Sequence, residues 1–170
     1  PDIKEVAGVP VIGNLSSLKE LYKHGYRKII NTVSLNRRQR ARRYAMLKEI
    51  GFILPNVIHE RAFIEDSAVI GEGNIIMAGA YVGSQTVIGN NCILNVNSVV
   101  SHDCKIGNSV NISSGAVIGG IATIGDGVII GQCASVYWGL TIDEDALIEN
   151  GCHVFDNLKS KEEVRNSGIE

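Results

Sequence analysis

The chain places an aliphatic residue at every sixth position from residue 58 to residue 154. Each of these positions holds isoleucine, leucine or valine, without exception. A small residue stands four positions after nearly every one of them, and glycine often follows the aliphatic residue directly. The seventeen aliphatic positions are Ile58, Ile64, Ile70, Ile76, Val82, Ile88, Leu94, Val100, Ile106, Ile112, Ile118, Ile124, Ile130, Val136, Ile142, Ile148 and Val154.

A period of six residues matches neither the turn of an α-helix nor the simple alternation of a free β-strand. It is typical of a solenoid in which short strands are separated by turns and each strand points one aliphatic side chain inward. The small residue at the fifth place of the hexad suits a tight interior corner. Glycine after the aliphatic residue would allow a turn with positive φ. One hexad cannot bury a core alone, so the pattern predicts the stacked coils of a parallel β-helix.

The composition agrees with a β-solenoid and narrows the range of partners. Nineteen of the 170 residues are glycine and 5% are aromatic, which suits a turn-rich chain with an aliphatic core. The formal net charge of −2 gives no reason to expect a nucleic acid or a membrane surface as a partner. No apolar run approaches the roughly 20 residues of a membrane span, and no signal peptide opens the chain. We therefore expect a cytoplasmic protein.

The segment before the hexads, at 1–54, follows a different pattern. Residues 8–13 predict a turn into a short extended segment, residues 14–25 and 36–50 predict helices, and residues 27–34 predict a strand. These elements are typical of the second half of a small α/β nucleotide-binding unit. We expect three parts: this partial domain at 1–54, a β-helix at 55–157, and a charged tail at 158–170 that forms a solvated helix or a disordered end.

The hexad of an aliphatic residue, glycine, two variable residues, a small residue and one further residue resembles the hexapeptide repeat of the left-handed β-helix acyltransferases. Three hexads make one triangular coil in that family, which implies between about five and six coils here. Left-handed winding is implied by the resemblance alone, because parallel crossover connections generally favour the right hand. The unbroken register implies that no long loop interrupts the β-helix.

Three segments narrow the resemblance to the bacterial sugar acyltransferases of the sialic acid O-acetyltransferase and bacillosamine N-acetyltransferase type. They are residues 8–13 (GVPVIG), 58–62 (IHERA) and 94–104 (LNVNSVVSHDC). Members of that family join a small α/β domain to a β-helix that carries a catalytic histidine followed by an acid. They begin with a strand and a glycine-rich turn that hold a sugar nucleotide. This sequence starts beyond that point, so we expect it to bind nucleotide sugars weakly by itself. It also lacks the family's terminal Gly-x-Pro-Ala strand, a departure that concerns the far edge of the cofactor site.

The resemblance implies transfer of an acetyl group from acetyl-CoA to an amino group or a hydroxyl of a nucleotide-linked or sialic-type sugar, in a ternary complex and in a homotrimer. His102 would be the general base, since imidazole takes up protons near neutral pH. Asp103 would orient the ring or raise its basicity, and the backbone N–H of Gly120 would stabilise the oxyanion. The remaining matches are the acceptor-side Asn95 and three cofactor-lining positions, which are Asn111 (where some relatives carry a second histidine), Gln132 and Gly151.

Two other function classes use the same architecture. A γ-type carbonic anhydrase needs a closely spaced pair of zinc-binding histidines and a third one, whereas His59, His102 and His153 lie far apart in the sequence. That spacing argues against the zinc enzyme, and we expect no metal. A non-catalytic, trimeric β-helix that serves as an assembly scaffold stays open as the alternative to the acetyltransferase.

Several further residues have both a structural and a functional interpretation. Cys92, Cys104 and Cys152 fall in the small inward positions, which predicts packing rather than a disulfide, a metal site or a covalent acyl-cysteine. The arginine-rich segment 37–43 predicts a solvated helix face, with binding of sugar-nucleotide phosphates as the alternative. Trp138 breaks the pattern of small residues, and at an outer coil edge it would meet a neighbouring subunit or the adenine of the cofactor.

Overall fold

The computed structural model describes residues 4–33 and 37–165. A short N-terminal region with two helices and a hairpin is followed, from residue 57, by a β-solenoid of about six turns. The end of the strand predicted at 27–34 and the start of the helix predicted at 36–50 fall on residues 34–36, and the end of the predicted tail falls on residues 166–170. These positions lie outside the described residues.

Every strand in the described ranges contains two residues. In chain order the strands are β1 (Glu5–Val6), β2 (Val9–Pro10), β3 (Val57–Ile58), β4 (Phe63–Ile64), β5 (Val69–Ile70), β6 (Ile75–Ile76), β7 (Tyr81–Val82), β8 (Val87–Ile88), β9 (Ile93–Leu94), β10 (Val99–Val100), β11 (Lys105–Ile106), β12 (Asn111–Ile112), β13 (Val117–Ile118), β14 (Thr123–Ile124), β15 (Ile129–Ile130), β16 (Ser135–Val136), β17 (Thr141–Ile142), β18 (Leu147–Ile148), β19 (His153–Val154) and β20 (Glu163–Val164).

The strands of the solenoid form three parallel sheets, which are the three sides of a prism. Side 1 contains β3, β6, β9, β12, β15, β18 and β20; side 2 contains β4, β7, β10, β13, β16 and β19; side 3 contains β5, β8, β11, β14 and β17. One coil is three hexads long, and each strand from β3 to β16 pairs in register with the strand one coil further along the chain, as Val100 does with Ile118. We name the turns between the sides corner 1–2, corner 2–3 and corner 3–1, after the sides that they join.

The aliphatic series lines the interior, as the hexad pattern predicts. From Ile76 to Val154 every member of the series is buried, and small corner residues such as Ala116 and Ala122 are fully buried beside them. Burying one large aliphatic side chain contributes about 1.5–3 kcal/mol, so the column of aliphatic residues is the main stabilising element of the solenoid. Ile58 remains exposed because it belongs to the first coil and has no coil beneath it.

Glycine after the aliphatic residue has a different role from the one predicted. Positive φ falls two positions later, at the fourth place of the hexad, as at Asp103 (φ +58°) and Gly127 (φ +68°). At Gly83 and at Gly119, a Cβ would approach the backbone of the next coil to 2.6 Å, which side chains do not do. The prediction of positive φ directly after the aliphatic residue is therefore wrong. The close approach of stacked coils requires these glycines instead.

Polar side chains replace the small residue at some interior corners. Asn74 donates to the carbonyl oxygen of Gly89 and accepts from the backbone N–H of Cys92. Thr86 donates to the carbonyl oxygen of Ser101. These side chains satisfy backbone groups that the turns leave without a strand partner, which is the usual condition for a polar group inside a protein.

The last coil continues the solenoid into the segment predicted to be a charged tail. Leu158 is buried and forms a parallel bridge with Ile142, and β20 pairs with β18. An unbroken register would place Ser160 opposite Ile142, so the bridge to Leu158 means that this coil is slightly shorter than the others. The prediction of a solvated helix or disordered end at 158–170 is therefore wrong for the part that the structure describes, up to residue 165.

The N-terminal region begins with an antiparallel hairpin of β1 and β2. A 3₁₀ helix at Leu15–Ser17 is capped by the side chain of Asn14 and leads into α1 at Leu18–Lys23. Gly25 follows with φ +99° and ends the helical segment, which agrees with the helix predicted at 14–25. In the described ranges, no helix combines the length and the apolar character needed to cross a bilayer.

The second helix, α2, spans Arg37–Ile50 and ends before Gly51, which has φ +104°. This agrees with the helix predicted at 36–50 over the described residues. The strand predicted at 27–34 is reduced to a single parallel bridge between Lys28 and Ile53. The segment around Ile53 pairs with the predicted strand at one residue only. The apolar segment at 27–34 therefore forms no sheet over the described residues.

Arg40 of α2 joins the N-terminal region to the solenoid. Its side chain is only 1% exposed, and burial lowers its pKa to about 10, which leaves it charged at neutral pH. The guanidinium donates, at 2.7–3.3 Å, to the carbonyl oxygens of Asn31, Val33, Asn91 and Cys92. The interpretation of segment 37–43 as a solvated face is therefore wrong for Arg40, and this side chain is not available to bind phosphates.

A polar contact on the same helix fixes α2 against the first full coil. Tyr44 donates to a carboxylate oxygen of Glu72 at 2.8 Å, and Lys48 approaches the same oxygen at 2.6 Å. Hydrogen bonds from Lys48 and Tyr44 lower the pKa of Glu72. Burial and the bond to Glu72 raise the pKa of Tyr44 to about 12. The helix therefore lies at one defined height along the solenoid.

The substitution Arg40→Met should lower the free energy of unfolding by about 3 kcal/mol, because it leaves several buried carbonyl groups without a donor. Urea unfolding followed by circular dichroism measures this loss. The matched control is Arg42→Met, which removes an exposed arginine of the same helix and should change the free energy of unfolding by no more than about 0.5 kcal/mol. Equal stability of the two variants would contradict the role assigned to Arg40.

Candidate functional site

His102 and Asp103 lie at corner 2–3, in the turn that follows β10. The fourth place of the hexad needs positive φ, and Asp103 adopts it with φ +58°, a conformation that aspartate reaches more readily than most residues. The backbone N–H of Asp103 donates to Ser84 in the coil below at 2.9 Å, and the carbonyl of His102 accepts from Ile121 in the coil above at 2.9 Å. The turn is thus held from both sides.

The two side chains form an oriented pair. His102 Nδ1 lies 2.8 Å from Asp103 Oδ2. Because a carboxylate only accepts hydrogen bonds, Nδ1 carries the proton and Nε2 of the neutral ring is left free to accept one. The side chains are 59% and 54% exposed, so the pair is open to solvent at this corner. This is the arrangement of a general base that an acid holds in place.

Gly120 lies directly above the histidine ring. A Cβ at Gly120 would be 2.8 Å from His102 Nε2 and 2.9 Å from Cε1. The ring therefore extends along the solenoid axis to a position beneath Gly120, and only glycine leaves room for it.

The backbone N–H of Gly120 has no acceptor in the part of the chain that the structure describes. At corner 3–1 the side chain one coil above satisfies the equivalent group: Asn90 N–H donates to Asn108 Oδ1 at 2.9 Å, and Asn108 N–H donates to Asp126 Oδ1 at 2.7 Å. The residue one coil above Gly120 is Trp138, whose indole offers a donor and no acceptor. The Gly120 N–H is thus free beside the base.

The other predicted site residues lie at corner 1–2 or on the strand beside it. Asn95 Nδ2 donates to Asn111 Oδ1 at 3.0 Å, and the backbone N–H of Gly151 donates to the carbonyl of Gln132 at 2.7 Å. Side 2 separates this group from His102. Within one chain the predicted residues therefore form two clusters on neighbouring corners rather than one.

The chain matches the family model described as bacterial transferase hexapeptide (six repeats), at residues 67–100 and 85–120. The crystal structure of PerB from Caulobacter crescentus, in complex with CoA and GDP-perosamine, is 30% identical in sequence. The match covers 92% of this chain and 75% of that chain, with a TM-score of 0.89. The chain belongs to the hexapeptide-repeat acetyltransferases with a left-handed β-helix.

A second relative extends the comparison. The acetyltransferase domain of PglB from Neisseria gonorrhoeae FA1090, in complex with acetyl coenzyme A, is 32% identical, with coverage of 88% and 74% and a TM-score of 0.80. Two further structures of the Caulobacter enzyme carry a single histidine replaced by alanine or by asparagine. No curated protein shows a significant match. The prediction of a sugar acetyltransferase is confirmed at the level of the family.

The cysteines of this acetyltransferase do not supply a nucleophile near His102. Cys92, Cys104 and Cys152 are buried in the interior, as predicted. Burial raises the pKa of Cys92 to about 12 and also raises that of Cys104, which disfavours the reactive thiolate. Cys133 is exposed but lies at corner 1–2. Among the described residues, no three histidine, cysteine or acidic side chains are grouped so as to hold a metal ion.

Trp138 is exposed at an outer coil edge, as the sequence predicts. The cluster around it was not predicted from the sequence: Tyr137, Trp138 and Phe155 form an exposed aromatic cluster above Gly120, with ring centroids 5.9–6.2 Å apart. The spacing of three hexads from His102 to Gly120 and from Gly120 to Trp138 is the signal that places Trp138 in the same column. Ile121 holds φ +64°, a conformation in which a β-branched residue is strained. Nothing in the hexad pattern of the sequence signals that strain.

The substitution Gly120→Ala should displace the His102 ring, because the added methyl group would come within 2.8 Å of Nε2. The backbone of Gly120 does not have positive φ, so the fold itself should tolerate alanine. Histidine ¹⁵N–¹H spectra measure whether the hydrogen bond between Nδ1 and Asp103 survives. The control Ser84→Ala changes the same corner one coil below His102 and should leave the ring signals in place; unchanged signals in Gly120→Ala would contradict the close packing described here.

Proposed function

We propose that this acetyltransferase transfers the acetyl group of acetyl-CoA to the amino group of a nucleotide-linked sugar. The observation that carries the proposal is the juxtaposition at corner 2–3 of an oriented base, His102 Nε2, and a free donor, the N–H of Gly120. A direct acyl transfer needs these two groups, one to remove a proton and one to stabilise an oxyanion.

The relatives support the choice of substrates. PerB is in complex with CoA and GDP-perosamine, and one of its variants is described as a GDP-perosamine N-acetyl transferase. A second relative is an acetyltransferase domain in complex with acetyl coenzyme A. These proteins favour an amine over a hydroxyl as the acceptor. They also favour a nucleotide-linked sugar over a free sialic-type sugar.

The proposed reaction proceeds without a covalent enzyme intermediate. The sugar amine attacks the thioester carbonyl, and His102 Nε2 takes the proton that the nitrogen loses as the carbon–nitrogen bond forms. The resulting oxyanion accepts a hydrogen bond from the N–H of Gly120. When the carbon–sulfur bond breaks, the imidazolium returns the proton to the sulfur, so the products are the amide and CoA thiol. Asp103 holds Nδ1–H throughout and stabilises the charged ring.

The surface around His102 supports one direction for the donor. Below the histidine, corner 2–3 presents the polar side chains of Ser84 and Gln85. Above it lie Gly120 and then the exposed aromatic cluster. A pantetheine arm contains apolar segments that suit the aromatic side, whereas a sugar suits the polar side. We assign the donor to the upper coils and the acceptor to the lower ones.

We further propose a homotrimer in which corner 1–2 of one protomer approaches corner 2–3 of the next. Asn95 and Gln132 would then meet the base of a neighbouring chain, which a single chain does not achieve. Side 2 is suited to such a contact because Phe63 and Val117 expose apolar side chains along it. Cyclic association of identical subunits produces closed assemblies of this kind.

Light scattering tests the assembly. We expect a particle of about three times the chain mass of 18.3 kDa at micromolar concentration. A stable monomer would contradict the shared site, and the proposal for Asn95 and Gln132 would fail with it.

The substitution His102→Ala should lower kcat by roughly 10²- to 10⁴-fold, the usual contribution of a positioned general base. The affinity for CoA should change little, because the ring acts chiefly in the transition state. Asp103→Asn should cost less, since that side chain orients the base and does not take up the proton. A thiol-release assay with acetyl-CoA and a panel of GDP- and UDP-linked amino sugars measures all three enzymes.

The matched control is His24→Ala, which removes an exposed histidine at the end of α1 and should leave kcat unchanged. If His102→Ala kept more than about half of the wild-type rate, the general-base role would be wrong, since removal of such a base usually costs far more. That result would favour the alternative of a β-helix that serves as a non-catalytic scaffold.

A further inference from the structure

The residue at the third place of each hexad lies in a corner turn. Where its backbone N–H group donates to a side chain, which we call a cap, the acceptor is always placed in the same way among the described residues. At corner 3–1, Glu72 N–H donates to Asn90 Oδ1 at 2.8 Å and Asn90 N–H donates to Asn108 Oδ1 at 2.9 Å. At corner 1–2, Gln132 N–H donates to Asn150 Oδ1 at 2.8 Å. In each case the cap is a side-chain oxygen of the third-place residue one coil above.

Gly120 occupies the same third place at corner 2–3, and the surrounding turn has the same geometry. One coil above Asn90, the fourth-place residue Ser109 has φ +55°, and one coil above Gly120, the fourth-place residue Gly139 has φ +71°. The backbone N–H of Ser109 donates to the carbonyl of Asn90, and that of Gly139 donates to the carbonyl of Gly120, each at 2.8 Å. An asparagine above Gly120 would therefore reach its N–H as Asn108 reaches that of Asn90.

The residue that stands above Gly120 is Trp138. Its indole has no acceptor atom, so it cannot form the cap that asparagine and aspartate form elsewhere. An oxyanion donor works only if it is free when the substrate arrives, because a donor that is already bonded within the protein must first lose that bond. The identity of residue 138 thus decides whether Gly120 can act.

We propose that Trp138 is a positioning residue that keeps the N–H of Gly120 free to bind the oxyanion of the acetyl transfer. The inference rests on the proposed function and adds a requirement to it: the third-place residue of the coil above the site must not be asparagine or aspartate, the two residues that form the cap elsewhere. Trp138 need not touch the reacting atoms to meet this requirement.

The decisive comparison is between Trp138→Asn and Trp138→Leu. The two side chains have nearly the same size and shape, and only asparagine carries an acceptor. Trp138→Asn should have a kcat roughly 10²- to 10³-fold below that of Trp138→Leu, the usual effect of losing one oxyanion donor. The difference should lie in kcat, because the donor acts on charge that develops in the transition state.

Amide hydrogen exchange provides a readout that does not depend on activity. The N–H of Gly120 should exchange slowly in Trp138→Asn and rapidly in the wild type and in Trp138→Leu. Protection of Gly120 together with the loss of kcat in the asparagine variant alone would support the proposal. Equal kcat values in the two variants would overturn it, whether or not Gly120 is protected.

The failure of this inference is distinguishable from failure of the proposed function. If the wild type and Trp138→Leu transfer acetyl groups and Trp138→Asn does so equally well, only the role of Trp138 is wrong. If the wild type transfers no acetyl group to any amino sugar of the panel, the proposed function is wrong and the inference falls with it.

Discussion

The constraint on which this molecule depends is the constant length of its coil, which spans three hexads. Each short strand makes its backbone hydrogen bonds with the strands one coil before and one coil after it, so no strand is stable by itself. Insertion of a single residue would turn the following aliphatic side chains from the interior to the surface. The same constraint aligns side chains into columns along the prism. His102, Gly120 and Trp138 share one column only because every coil between them has the same length, and the candidate site is a consequence of that alignment.

The parts of the structure that follow from this constraint could be predicted from the sequence. The period of six predicted the solenoid and its interior, because burial selects one aliphatic residue per strand. The period did not show why glycine is needed at a given position. Glycine is required by the close approach of the next coil at Gly119 and by positive φ at Gly127, and the sequence pattern does not separate these two causes. It also missed the last coil, because the shorter spacing there moves Leu158 out of the series. The pair His102–Asp103 and the donor role of Gly120 were predicted through resemblance, whereas the absence of an acceptor for the Gly120 N–H depends on a residue one full coil away.

Arg40 shows why the N-terminal region resisted the same reasoning. In the sequence it is one of several arginines in a helix, and the ordinary expectation for such a run is exposure. Its burial follows from the carbonyl groups of Asn31 and Asn91, which approach from two separate parts of the chain. A buried charge requires such partners to offset the cost of losing water. No local pattern encodes partners that tertiary structure brings together, so this arginine becomes recognisable only once the helix lies against the solenoid.

The corners of the prism have different roles: the side-chain column at corner 3–1 stabilises the turns, whereas corner 2–3 carries the candidate site. At corner 3–1 the column of Asn90, Asn108 and Asp126 satisfies successive backbone N–H groups, which stabilises the turns and leaves these groups unavailable to a ligand. At corner 2–3 the N–H of Gly120 stays unpaired within the described residues, as do the third-place N–H groups of Val96 and Ser114 at corner 1–2. Gly120 differs from these positions because it packs against the ring of His102, which Asp103 orients. A scaffold built only to assemble has no need of a free donor beside an oriented histidine. That combination of donor and base favours the enzyme over the scaffold.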